Sequence, residues 1–214
     1  NPGFMIGNSE DEVHSILVAL DCTMKVIDEA IDKRCNFIFT HHPLLFNKPA
    51  SITNKTLLGR KILKLIQNNI NVYSSHTNLD SVSGGINDIL METLGFENCK
   101  ILDKRVPKNL SEKESGIGRL TVLKEPVLFS DLCKNVKKAL NIRYLRYSGN
   151  LNKKVSSIAV ITGAGQSYFN SAVKMGSDCI ITGDTSYHNV NDLYEDGVCI
   201  IDAEHFYTEW TPLK

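Results

Sequence analysis

Residues 36–43 read Asn-Phe-Ile-Phe-Thr-His-His-Pro, an apolar run that ends abruptly in two adjacent imidazoles and a proline. Two neighbouring histidines at the mouth of a buried strand can hold one metal ion or bridge two. Elsewhere the chain offers a histidine with a carboxylate four positions on, as His76 and Asp80 and as His205 and Glu209. Imidazole and carboxylate donors from three separate segments suit a dinuclear divalent-metal site. Two ions there would polarise a substrate and lower the pKa of a bridging water, giving hydroxide near neutral pH.

Each segment also has a plainer explanation. On a regular strand His41 and His42 would point to opposite faces, so both reach one site only where the strand ends and the chain turns. Pro43 makes that ending, because it donates no amide to a ladder. His76 follows Val72-Tyr73 and leads towards Gly84-Gly85, so it reads as a strand-end loop in which Asn78 and Asp80 could simply shape a turn. His76 itself is a ligand, a second donor behind the ligands or a proton carrier. If residues 203–210 are helical, the i, i+4 spacing puts His205 and Glu209 on one face. Asp184 and His188 lie in Gly-Asp-Thr-Ser-Tyr-His, where Asp184 could orient a ligand histidine and His188 could shuttle protons. His14 reads as a bystander. Gly163-Ala164-Gly165 resembles a phosphate-binding turn but lacks the full Gly-x-Gly-x-x-Gly, and close packing explains it equally well.

Apolar runs that alternate with helical patterns must position these groups. Strands are expected at residues 16–20, 37–40, 70–74, 116–123, 145–148 and 198–201. Helices are expected at 23–33, 55–68, 85–94 and 128–140, the last with Ser130 as N-cap. Continuous apolar strands between helices indicate a largely parallel sheet covered on both faces. The chain also repeats itself. Displaced by 142 residues, 16–40 lies on 158–182 without a gap, and a displacement of 129 sets His76 and Asp80 on His205 and Glu209. The expected architecture is therefore α/β: two similar α/β lobes, 1–101 and 116–214, with mostly parallel sheets, a polar connector at 102–115 and the metal site between the lobes.

Bulk properties narrow the function classes. The 214 residues carry 24 basic and 24 acidic side chains, so net charge points to neither nucleic acid nor membrane. No apolar stretch approaches the roughly 20 residues that span a bilayer. None of the six cysteines forms a C-x-x-C pair, and reduced, buried thiols in a cytoplasmic protein are expected.

An ordered set of segments resembles one family. Asn-Pro-Gly-Phe-Met-Ile-Gly at the start, Leu-Val-Ala-Leu-Asp-Cys-Thr, Thr-His-His-Pro-Leu-Leu-Phe, His-Thr-Asn-Leu-Asp and Gly-Gly-Ile-Asn-Asp come first. Gly-Ile-Gly-Arg-Leu, Ile-Thr-Gly-Ala-Gly, Ile-Thr-Gly-Asp-Thr-Ser-Tyr-His and Glu-His-Phe-Tyr-Thr-Glu complete the order. The chain is similar throughout to the NGG-one-interacting-factor-three-like family, whose members carry the name GTP cyclohydrolase 1 type 2. That resemblance implies two α/β lobes with two divalent ions per chain (Zn, Fe, Mn or Mg) and a homohexamer. It implies His41, His42, Asp80, His205 and Glu209 as metal ligands, with His76 and His188 as additional functional histidines. It implies a metal-dependent hydrolase whose first small-molecule substrate to try is a nucleotide, GTP. A non-catalytic metal carrier or regulatory assembly is the other reading. Two departures stand out. The family's helical segment before Asn1 is missing, so the chain looks truncated, and Glu204 replaces the glycine that the family places before its last histidine ligand.

Overall fold

The computed structural model describes residues 2–105 and 114–214. Contacts divide the chain into two units, Asn1–Leu79 and Asp80–Lys214. In the first, β1 (Gly3–Ile6), β2 (Ile16–Ala19), α1 (Met24–Asp32), β3 (Phe37–Thr40), α2 (Leu57–Gln67) and β4 (Asn71–Ser74) follow in order. The short α3 (Thr77–Ser81) runs across the division. The second unit holds α4 (Ile86–Thr93), β5 (Lys100–Lys104), β6 (Gly116–Leu128), α5 (Phe129–Ala139), β7 (Arg146–Ser148) and β8 (Lys154–Ala164). A 3-10 turn then leads to α6 (Phe169–Lys174), β9 (Cys179–Gly183), α7 (Tyr187–Glu195), β10 (Cys199–Asp202) and α8 (His205–Leu213). No helix of the described residues is long and apolar enough to cross a membrane.

The result is a mixed α/β fold with two sheets. The first sheet runs β1-β4-β3-β2, with β2, β3 and β4 parallel and β1 antiparallel at one edge. The second runs β5-β6-β8-β9-β10-β7. Only β8, β9 and β10 are parallel there; β5, β6 and β7 join antiparallel, so the expectation of a mostly parallel sheet fails for this unit. Apolarity does not report strand direction, which is why the hairpin-like partners were misread.

Two-sided cover holds for the second sheet. Ile158 and Val160 of β8 face one core with Phe129, Leu132 and Val136 of α5 and Leu90 of α4. Ala159 and Ile161 face another with Phe169 and Ala172 of α6 and Leu193 of α7. Alternate residues feed opposite cores, so every position must be apolar. The first sheet differs. Ile38 and Val72 pack under Ile27 and Ala30 of α1 and Leu65 of α2. On the other face Phe39 and Tyr73 stack, with ring centroids 6.0 Å apart, while Val18 and Phe4 are exposed.

The repeat appears as register. Ile16, Leu17 and Val18 pair with Phe37, Ile38 and Phe39, and Ile158, Ala159 and Val160 pair with Cys179, Ile180 and Ile181. Every residue of the second set is numbered 142 above its counterpart.

Other expectations are corrected. Residues 102–104, expected as connector, belong to β5; residues 106–113 of that connector lie outside the described residues. Ser130 is not an N-cap. Leu128 is, and the first amides of α5 are met by backbone, Phe129 N donating to Lys153 O at 2.9 Å and Ser130 N to Leu151 O at 3.0 Å. A true side-chain cap stands at Thr23, whose Oγ1 accepts from Val26 N at 3.2 Å. Thr23→Ala should therefore cost about 1 kcal/mol, whereas Ser130→Ala should stay within about 0.5 kcal/mol. Urea unfolding of both variants checks this, and equal losses would contradict the cap assignment.

Candidate metal centre

Both units place their reactive side chains just beyond the carboxyl ends of parallel strands. In the first unit the ladder continues past β3, with His41 N donating to Ala19 O at 3.3 Å and His42 N to Leu20 O at 2.9 Å. The His42 carbonyl then accepts from Thr40 Oγ1 at 2.9 Å and from Ser74 Oγ at 3.4 Å. Here the chain leaves the pleat, and the two rings come within 5.2 Å between centroids. His76, two residues past β4, lies 5.4 Å from His41 and 6.0 Å from His42 by the same measure. His41 is only 1% exposed. Asp21, two residues past β2, sets Oδ1 2.9 Å from His42 Nδ1.

The second unit starts its set at Asp80, in the short helix α3 where a loop was expected. Its carbonyl accepts from Asn87 Nδ2 at 3.0 Å, and its Oδ1 accepts from Thr162 Oγ1 at 3.4 Å. The buried Asn87 also accepts from Thr162 N at 3.2 Å, so one amide side chain ties α4 to both β8 and the Asp80 backbone.

His205 opens α8 and Glu209 follows one turn later. Glu209 Oε2 lies 2.9 Å from His205 Nε2, and Asp184 Oδ2 lies 2.8 Å from His205 Nδ1. The Glu209 carboxylate holds the imidazole above its ordinary range; burial opposes this and Asp184 adds to it. Thr208, wholly buried, fixes α8 against β8: its Oγ1 accepts from Gly163 N at 3.1 Å. Gly163 has φ +61°, and a Cβ there would lie 2.1 Å from Glu209 Oε1 and 3.2 Å from His205 Nε2. The glycine turn thus has a packing reason: it leaves room for the His205–Glu209 pair.

Asp202, 1% exposed, sets the approach to this pair. Its Oδ2 accepts from Thr185 N at 3.0 Å and Thr185 Oγ1 at 2.7 Å, and from the Arg146 guanidinium. Its Oδ1 accepts from Glu204 N at 3.0 Å. Burial alone would raise the carboxyl pKa, but the Thr185 and Glu204 hydrogen bonds and the Arg146 charge outweigh it and hold the group below the usual range. Glu204 has φ +65° and ψ 150°, a backbone region that belongs to glycine.

Of the sequence-derived candidates, His41, His42 and His76 cluster in the first unit, and in the second His205 pairs with Glu209 while Asp80 is held by Thr162 and Asn87. His188 stands apart. It is exposed on α7 against the Tyr187 ring, 5.4 Å between centroids, and no hydrogen bond or ion pair of the described residues joins it to His205. The sequence reading missed Asp21, Asn87, Thr208 and Asp202; the first three lay inside quoted motifs without a role.

The donor set fits a divalent cation. The imidazoles of His41, His42 and His76 lie together, and their ring-nitrogen lone pairs are donors of the kind that divalent transition-metal ions take. At His205 the imidazole lies between two carboxylates, Glu209 on Nε2 and Asp184 on Nδ1. A ring nitrogen binds metal only when deprotonated, so a cation at Nε2 would stand where a proton otherwise bridges to Glu209.

The family model described as Duf34/NIF3 (NGG1p interacting factor 3) matches residues 1–214. A Clostridium acetobutylicum protein named GTP cyclohydrolase 1 type 2 homolog is 56% identical over 210 residues, covering 98% of this chain and 77% of the relative. A protein of the same name from Clostridium perfringens is 48% identical over 213 residues, covering 100% and 80%. The crystal structure of a Bacillus cereus protein related to NIF3 superposes with a TM-score of 0.89 at 26% identity, covering 100% of this chain and 84% of the other.

Two outcomes follow from the supports of His205. Glu204→Gly removes a strained backbone and should raise stability by roughly 1–3 kcal/mol in urea unfolding; a loss would show that the glutamate is not strained there. Asp202 has a depressed folded pKa, so its contribution is present above the ordinary carboxylate value of about 4 and fades as pH falls through and below it. Asp202→Asn should therefore flatten the acid limb of the stability curve in that window. Parallel acid limbs in the two proteins would contradict the network.

Proposed function

The chain belongs to the Duf34/NIF3 (NGG1p interacting factor 3) family, and from that premise we propose that it is a metal-dependent hydrolase-like protein. In this reading His41, His42, Asp80, His205 and Glu209 hold two divalent ions. The observation that carries it is the His205–Glu209 pair. A buried carboxylate meets Nε2 while Asp184 meets Nδ1, and Gly163 stands where any side chain would push Glu209 away. That is an arrangement for presenting two donor atoms together, and a surface ion pair needs none of it.

When bound, divalent ions would supply Lewis acidity, polarising a substrate oxygen and lowering the pKa of water. The protein's own residues hold, neutralise and exchange protons. His41 and His42 offer neutral nitrogen donors from a chain segment pinned on both sides by the β-ladder and by Thr40. Asp80 and Glu209 bring the negative charge that offsets the cations. His76 lies within the imidazole cluster and His188 on the exposed turn of α7, and either can carry a proton to or from bulk water. The name shared by the relatives makes GTP the first substrate to test, through hydrolytic opening of its imidazole ring.

Glu209→Gln keeps size and hydrogen-bonding capacity but removes one compensating charge. The variant should fold normally and hold less metal than His14→Gln, an exposed control, by more than the roughly 10–100-fold typical of changes behind the ligands. Equilibrium dialysis with zinc followed by elemental analysis measures this. Equal metal content in Glu209→Gln and wild type would refute the ligand assignment. Turnover of GTP that scales with metal content supports hydrolysis; full metal occupancy without turnover favours a metal carrier.

A further inference from the structure

We infer that Asp21 is a positioning residue for His42 and forms, with Asp184 on His205, a matched pair of carboxylates that make both histidines present Nε2. The inference rests on the metal-site reading above. A contact of the same kind occurs in each unit, though not at positions related by the internal repeat. Asp21 Oδ1 lies 2.9 Å from His42 Nδ1, and Asp184 Oδ2 lies 2.8 Å from His205 Nδ1. Each carboxylate follows the strand next to the one that carries its histidine, Asp21 after β2 beside β3 and Asp184 after β9 beside β10. In neither case is the partner local in sequence; both pairs are 21 residues apart.

A carboxylate on Nδ1 does two things to a neutral imidazole. It keeps the proton on Nδ1, so the lone pair is on Nε2, and its charge makes Nε2 a stronger donor. For this to orient the ring, both ends must be fixed. The His42 backbone is held through its amide to Leu20 O and through its carbonyl to Thr40 Oγ1. Asp21 is held at the entry to α1, where its carbonyl accepts from the amide of the N-cap Thr23 at 3.0 Å. The Asp21 side chain is 56% exposed, so burial gives no reason for a charge at this position. As a plain surface pair it would contribute only about 0–1 kcal/mol to folding. Its removal leaves the fold intact and changes the behaviour of His42.

The test compares wild type, Asp21→Ala and Asp21→Asn. Histidine-15N spectra of the metal-free proteins are recorded at mildly alkaline pH, with His42→Gln used only to assign the His42 signals. Zinc affinity is measured by competition with a chromophoric chelator. Wild type should show His42 as the Nδ1–H tautomer. Asp21→Ala should populate both tautomers, bind zinc about 10–100-fold more weakly and unfold at nearly the wild-type temperature. Asp21→Asn still offers an acceptor oxygen without the charge, so it should keep the tautomer and recover part of the affinity. An unchanged His42 tautomer in Asp21→Ala overturns the inference, as does unchanged zinc affinity. Wild type that takes up no zinc but loses its tautomer preference in Asp21→Ala sinks the metal reading alone, because the orienting hydrogen bond is read in the metal-free state.

Discussion

Parallel strand pairing in fixed register is the constraint on which the rest of this protein depends. Side chains placed after strands can converge only if the strands end level with one another. In the first unit Thr40 pairs with Ser74, and in the second Thr182 pairs with Asp202, so neighbouring strands stop together. Two adjacent histidines then emerge beyond β3, and Gly183-Asp184 emerges at the equivalent end of β9. A shift of one residue in either pairing would turn every core side chain to the opposite face. The large apolar content of these strands therefore fixes the placement of polar groups that lie wholly outside the core.

Level strand ends bring donors close at an electrostatic cost, and each loop carries its own compensation. Asp202 is buried but gathers hydrogen bonds from Thr185 and Glu204 and the charge of Arg146. Thr208 closes the distance between α8 and the end of β8. Asn87 does the same for α4. Most of these groups touch no candidate ligand atom. They determine the loop conformations from which the candidate ligands project, and side chains held that firmly could be presented to a cation with little further ordering.

Much of this could be read from the sequence, for identifiable reasons. The histidine–carboxylate pairs stood out because imidazole is rare and its spacing informative. The repeat of 142 residues was visible because both βαβ segments run without a gap, and it reappears as identical strand register. The third strand breaks the pattern. Ser74 and Asp202 are structural equivalents 128 residues apart, whereas His76 and His205 are 129 apart. The extra residue is Glu204, with its positive φ, and a single inserted residue of that kind leaves no periodic signal. Strand direction was also hidden, because β6 and β7 carry ordinary strand sequences with antiparallel partners. The signature Gly-Ile-Gly-Arg proved architectural: Arg119 is buried and donates to the carbonyls of Gly116, Gly118 and Val82 as well as to Asp88. The partner of His42 was missed because Asp21 lies 21 residues away in sequence and only the pairing of β2 with β3 brings the two together; Asn87, seven residues from Asp80, meets it through the turn between α3 and α4.

The central claim is that the strand-end donors of both units exist to hold divalent metal. Anomalous diffraction from zinc-loaded crystals, collected on both sides of the zinc absorption edge, tests it most directly. The account predicts strong peaks within bonding distance of His205 Nε2 and Glu209 and of the His41–His42 pair. Crystals that show zinc only at other surface histidines or cysteines, with His205 still hydrogen-bonded to Glu209, would contradict it.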